Sequence, residues 1–235
     1  MIGLPLDFSV IEATGIEGVR DVLSNPRHIT GYVNVRGVGM VPYEGPLERD
    51  FLEIKDFYGT AAYLGSQPVR LQFRDGPHRQ YTPDFLQRFI PAPSGATPTP
   101  ILWEVKPEAE LRERWQELRP GFLRAAALCR DRNWRFRLAT ENHIRTGYLQ
   151  NIKFLRQYRA FVDDNYLGLV MYERIKTMGV TTPSKLLAMC FSPLDTRMEA
   201  VRFLWMLVGS RHIATDLSRP LTMESPIWWK HHAGP

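Results

Sequence analysis

Two short apolar segments, "YTPDFLQRFI" and "ILWEVK", flank the connection "PAPSGATPTP". Proline and glycine keep that connection out of a strand, so the flanking segments read as strands joined across it as a hairpin. In a strand, residues two apart point to the same face, about 6–7 Å from each other. Glu104 and Lys106 therefore project together while Val105 turns into the core. Pairing with the Tyr81–Phe85 segment brings Asp84 beside Glu104. One carboxylate from each strand suits a hard divalent cation such as Mg²⁺, with water and phosphate oxygens on the remaining sites. A lysine at this spacing can orient or deprotonate an attacking water and neutralise phosphate charge. Plain alternatives stand beside this: Asp84 as a turn residue after Thr82-Pro83, and Glu104 with Lys106 as an exposed ion pair of small value.

Composition narrows the class of partner. The chain has 235 residues, 30 Lys+Arg against 25 Asp+Glu, and a net charge of +5. That balance points to an anionic partner. No apolar run reaches the length of a membrane helix, and "MIGLPLDFSV" lacks the basic start of a signal peptide. Cys129 and Cys190 lie in apolar helical contexts and read as buried free thiols in a reducing cytosol.

Residues 1–40 read as a poorly periodic arm ending in a strand, "TGYVNVRGVG". "PLERDFLEIKDF" is helical, with Leu47, Phe51 and Ile54 on one stripe, Pro46 in the first turn and Gly59 at the end. Glu48, one turn into that helix, can supply a third carboxylate, or simply suit a helix N-terminus. "AAYLGSQPVRLQF" alternates as a half-exposed strand, followed by a turn at Asp75-Gly76-Pro77. Beyond "ILWEVK" come a helix, a break at Pro120-Gly121, a second helix, the strand "NWRFRLAT" and one amphipathic helix, "NHIRTGYLQNIKFLRQYR". On that last helix His143, Arg145, Lys153, Arg156 and Arg159 form either a DNA-facing surface or a solvated stripe. The order of elements predicts an α/β domain over 41–160. Residues 161–235 read as two helices, opened by Thr182-Pro183 and by Asp195 or Thr196, plus a β-wing at "RHIATDLSRPLT". This is the outline of a small winged-helix-type domain.

The ordered set "LERDFL…QP…PDFL…EVK" resembles the nuclease domain of the TnsA family of transposon endonucleases, and the similarity runs from about Pro42 to Trp229. The resemblance implies a restriction-endonuclease-like core, a central mixed sheet flanked by helices. It implies that Glu48, Asp84 and Glu104 hold Mg²⁺ or Mn²⁺ with help from the Val105 carbonyl, and that Lys106 completes the catalytic set. It implies hydrolysis at the 5′ ends of a transposon during cut-and-paste movement. The partners implied are double-stranded transposon-end DNA, a TnsB-type transposase and a TnsC-type ATPase, in the bacterial cytoplasm. The alternatives are a stand-alone restriction or repair nuclease of the same fold, and a non-catalytic DNA-binding or scaffolding subunit.

Overall fold

In the computed structural model, which describes residues 8–13, 29–73, 80–163, 166–232 and 234, the segments flanking the proline-rich connection pair as expected. Strands β7 (Phe85–Phe89) and β8 (Ile101–Val105) run antiparallel with Phe85 opposite Trp103. Strand β4 (Ala61–Ser66) lies antiparallel on the far side of β7, and β9 (Arg135–Ala139) lies parallel to β8. The result is a four-stranded mixed sheet of order β4-β7-β8-β9. A parallel neighbour requires a crossover, here made by α2 (Glu108–Glu113) and α3 (Trp115–Asp131).

A second sheet, order β1-β5-β6, joins Phe8–Glu12, Val69–Phe73 and Gln80–Tyr81. The single strand expected over "AAYLGSQPVRLQF" is thus two strands in two sheets. The break is at Gln67-Pro68, because Pro68 has no N–H to give a ladder and Gln67 has a left-handed φ of 45°. Part of the expected arm is also structured: β1 pairs antiparallel with β5, Phe8 opposite Phe73, and Phe8 and Val10 pack on the core. The predicted turn at Asp75-Gly76-Pro77 lies outside the described residues. A hairpin of β2 (Gly31–Val35) and β3 (Gly39–Tyr43) replaces the one strand expected there.

Helix α1 (Pro46–Tyr58) starts on Pro46 and ends at Gly59, whose φ of 58° is left-handed and whose N–H donates to the Lys55 carbonyl. Phe51 seats it on the β7–β8 hairpin, stacked on Phe85 at 5.4 Å and edge-on to Trp103 at 5.3 Å. On the opposite side α3 closes a core of Val69, Leu71, Leu86, Leu102, Ala125, Leu128 and Cys129. That core takes residues from both sheets, so α3 holds the two sheets in register with each other.

The helix break expected at Pro120-Gly121 falls instead at Arg114, and Pro120 sits inside α3. Gly121 has a packing reason to be glycine. A Cβ built there would meet Tyr81 Cγ at 2.7 Å, so the helix backbone lies directly under the Tyr81 ring. Helix propensity alone would make Gly121→Ala stabilising. The ring base cannot swing away, so we expect Gly121→Ala to destabilise by about 1–3 kcal/mol, as overpacking does. A thermal melt checks this, and an unchanged or raised midpoint would show that the close approach is not required.

The chain divides into two compact units, Met1–Ile144 and Arg145–Pro235. The sequence predicts one helix across this point, in a domain expected to end near residue 160. Two helices are found, α4 (Glu141–Ile144) and α5 (Gly147–Arg156), and α5 packs on α8 (Leu194–Gly209) of the second unit. Two contacts explain the attachment. A Cβ at Gly209 would stand 3.0 Å from the Leu155 carbonyl oxygen, so these helices touch backbone to backbone. The buried Asn151 side chain also donates to the carbonyls of Leu217 (2.9 Å) and Arg219 (2.7 Å) and accepts the Leu221 N–H (3.3 Å).

The rest of that unit is α6 (Leu167–Met178), α7 (Pro183–Cys190) and the antiparallel pair β10 (Ile213–Thr215) and β11 (Ile227–Trp229). Thr182 caps α7 by accepting the Lys185 N–H, as its sequence suggests. Helix α8 begins after Pro193, not after Asp195 or Thr196, and includes Gly209. Helix α6, absent from the sequence reading, contributes the buried Met171 and Ile175. Cys129 is a buried free thiol, whereas Cys190, expected to be buried as well, is a free thiol only half-buried. No helix among the described residues is long and apolar enough to cross a membrane.

Candidate functional site

The chain changes sheets at two points, Gln67-Pro68 between β4 and β5 and Thr82–Asp84 between β6 and β7. These points lie against each other: the Gln67 N–H donates to the Asp84 carbonyl at 2.6 Å. Asp84 is itself anchored to β8. Its N–H donates to the Trp103 carbonyl (3.1 Å), and its Oδ2 accepts the Val105 N–H (2.6 Å). A parting of two sheets thus carries a carboxylate, which is held at the end of the hairpin where Glu104 and Lys106 emerge.

Glu104 is 2 % exposed. One of its oxygens accepts the Tyr81 hydroxyl at 2.5 Å, and the other lies 3.2 Å from Lys106 Nζ. The two side chains share a face, as their spacing requires, and Lys106 is pinned to β9 through its N–H on the Ala139 carbonyl. Glu48 arrives from α1. Its Oε2 accepts the Glu44 N–H at 2.9 Å, and Glu44 Oε1 in turn accepts Gln67 Nε2 at 2.9 Å.

Burial, with repulsion among the acids, raises the carboxyls of this cluster. Asp84 is held well above the usual carboxylate range by burial, then by the Glu104 and Glu48 charges. Glu104 is raised by burial, with Lys106 and the Tyr81 hydrogen bond acting against it. Glu48 is pushed up to about 7, again mainly by burial, with Glu44 and Glu104 adding to it and the Glu44 N–H and Lys106 opposing. Burial works to neutralise Lys106, but Glu104, Asp84 and Glu110 outweigh it and hold the amine above the ordinary lysine range. These neighbours favour the charged form of Lys106.

The structure brings together Glu48, Asp84, Glu104 and Lys106, with Val105 offering its N–H to Asp84. Among the described residues, no three His, Cys, Asp or Glu side chains form a ready-made metal cage. His143 lies on α4 in the first unit, its Nδ1 3.0 Å from Thr140 Oγ1, whereas Arg145, Lys153 and Arg156 belong to the second unit. The single basic helix face expected from sequence is therefore split between two units. Tyr81 and Glu44 are not singled out from sequence, and Gln67 enters only through "QP" in the TnsA-like pattern, with no role assigned. Only Gln67-Pro68, a proline breaking an alternating run, carried a signal that could have found one of them.

Residues 61–141 match the family model described as the TnsA-like endonuclease N-terminal domain. The match covers the four-stranded sheet with Asp84, Glu104 and Lys106, so the chain carries an endonuclease domain of the transposase-associated class. Over that stretch it is similar to the TnsA family. Glu48 lies outside the matched stretch and joins the site through the seating of α1. Among curated proteins, none matches the chain.

Proposed function

We propose that the chain is the metal-dependent endonuclease subunit of a heteromeric transposase. In this reading it hydrolyses a phosphodiester at the 5′ ends of the transposon during cut-and-paste movement. The observation that carries the reading is the buried Glu104 with the half-buried Glu48 and Asp84 beside Lys106, inside or against the TnsA-like domain. The donor set fits a hard divalent cation, Mg²⁺ or Mn²⁺: all its atoms are oxygens, and all three carboxyls are raised, chiefly by burial. Among the described residues no three such side chains form a cage, so in this reading the cation would keep several waters and take phosphate oxygens as ligands. Bound there, it would polarise the phosphate and lower the pKa of the attacking water.

The protein's own residues do the rest. Asp84 and Glu104 would hold the cation, with Glu48 behind them and the Val105 backbone fixing the Asp84 rotamer through its N–H. Tyr81 orients Glu104. Lys106 would donate to the phosphate or the attacking water and neutralise charge that develops there. Partners would be transposon-end DNA, a TnsB-type transposase and a TnsC-type ATPase in the cytoplasm. The second unit would be a winged-helix-type domain with β10–β11 as its wing and a docking role. Exposed Arg145, Lys153 and Arg156, and separately His143, would add phosphate contacts.

The test is nicking of transposon-end DNA by the full chain with its partner subunits, with and without Mg²⁺. Lys106→Met should lower the cleavage rate by about 10²–10⁴-fold while leaving cation-dependent thermal stabilisation in place. Site-specific cutting without any partner would overturn the heteromeric reading. Full cleavage by Lys106→Met would overturn the catalytic one.

A further inference from the structure

Gln67 combines three features that its place in a two-residue connection does not require. Its φ of 45° is left-handed, a region that costs residues with a Cβ energy and that glycine enters freely. A residue before proline is moreover biased to extended backbone, so the strain is not a by-product of Pro68. Gln67 is only 4 % exposed, and its Oε1 is buried without a hydrogen-bond partner among the described residues. The amide orientation is fixed chemically: Nε2 faces the Glu44 carboxylate, which accepts from a nitrogen and would repel an oxygen.

Its bonds connect the two halves of the acid cluster. The main-chain N–H holds Asp84 through its carbonyl, and the side chain holds Glu44, whose N–H holds Glu48. Glu48 and Asp84 come from a helix and a strand edge, and their charges disfavour each other. We propose that Gln67 is the positioning residue that sets Glu48 against Asp84, with its unpaired Oε1 as an acceptor for the hydration shell of the cation. This rests on the nuclease reading above. It explains why a glutamine occupies a backbone position suited to glycine: the side chain's two roles offset the strain. Groups that orient metal-binding carboxylates, though not ligands themselves, typically change metal affinity by about 10–100-fold.

Gln67→Gly separates positioning from folding, because glycine removes the backbone strain along with the amide. Gln67→Met keeps the bulk, the strain and the main-chain bond to Asp84, and removes only the side-chain bond to Glu44 and the Oε1 acceptor. Each full-length variant is titrated with Mn²⁺ by calorimetry and by cation-dependent shift of the thermal midpoint. We expect Gln67→Gly to melt at or above the wild-type temperature without cation, and both variants to bind Mn²⁺ at least about tenfold more weakly. Wild-type Mn²⁺ affinity in either folded variant would overturn the inference and leave the nuclease reading intact. A wild-type chain that takes up no divalent cation would overturn both.

Discussion

Asp84→Asn is expected to lower transposon-end cleavage by on the order of 10³-fold or more, the scale seen when a preorganised electrostatic group is removed, while stabilising the fold at alkaline pH. The two effects have one cause. Asp84 is half-buried beside like charges, and its desolvation, then those charges, raises its pKa well above the carboxylate range. The asparagine retains an oxygen to accept the Val105 N–H, so the hairpin end stays anchored, and it removes the charge. A cluster built for folding alone would gain from this change and lose nothing. One built to hold a cation gains stability and loses activity. Rate measurements with partner subunits, paired with melts at pH 8, check both. A variant that cleaves at the wild-type rate would remove Asp84 from the centre, and one that melts lower would contradict the repulsion.

The second large effect is the pH dependence of stability. Glu48 has a pKa of about 7 in the fold against 4.5 as its ordinary value. The folded chain therefore holds more protons than the unfolded chain between these values, and stability must fall as pH rises through that window. The Glu48 contribution is fully present below about 4.5, is lost through about 7, and amounts to on the order of 3 kcal/mol. Asp84 and Glu104, both raised, act with the same sign. Lys106 is also raised, so its contribution is lost only at strongly alkaline pH. Denaturant unfolding between pH 5 and 8 should show stability declining with pH, and Glu48→Gln should flatten the decline. Saturating Mg²⁺ at pH 8 should restore about 2.7 kcal/mol at a hundredfold excess over its dissociation constant. A stability that rises with pH across this range would show that the acids are not mutually destabilised.

The hairpin was legible because its evidence is local. Alternation in "ILWEVK" turns Glu104 and Lys106 to one side whatever lies elsewhere in the chain, and a proline-rich connection leaves antiparallel pairing as the economical arrangement. Helix α1 was legible for the same reason, through Pro46, Gly59 and the Leu47–Phe51 spacing. The helix through residues 143–159 misled because one amphipathic period was read across Arg145-Thr146. Nothing local marks that Asn151 bonds to the 217–221 loop or that Leu155 rests on Gly209. Pro120 misled in the opposite direction: the helix carries it, and the break falls at Arg114.

By itself, then, the chain's order of residues determined which side chains share a face and which acids and lysine are on offer: Glu104 with Lys106, Asp84 one strand away, Glu48 at a helix start. Those follow from the two-residue and 3.6-residue repeats of strand and helix, which act over a few bonds. Only the tertiary structure decided that the alternating run breaks at Gln67-Pro68 into two sheets and that both sheet changes meet at Asp84. The same holds for Tyr81, which lies over Gly121 to reach Glu104, and for Gln67, which ties Glu48 to Asp84. Those contacts join residues far apart in sequence. Burial and the closure of the core set them, and no local pattern records either.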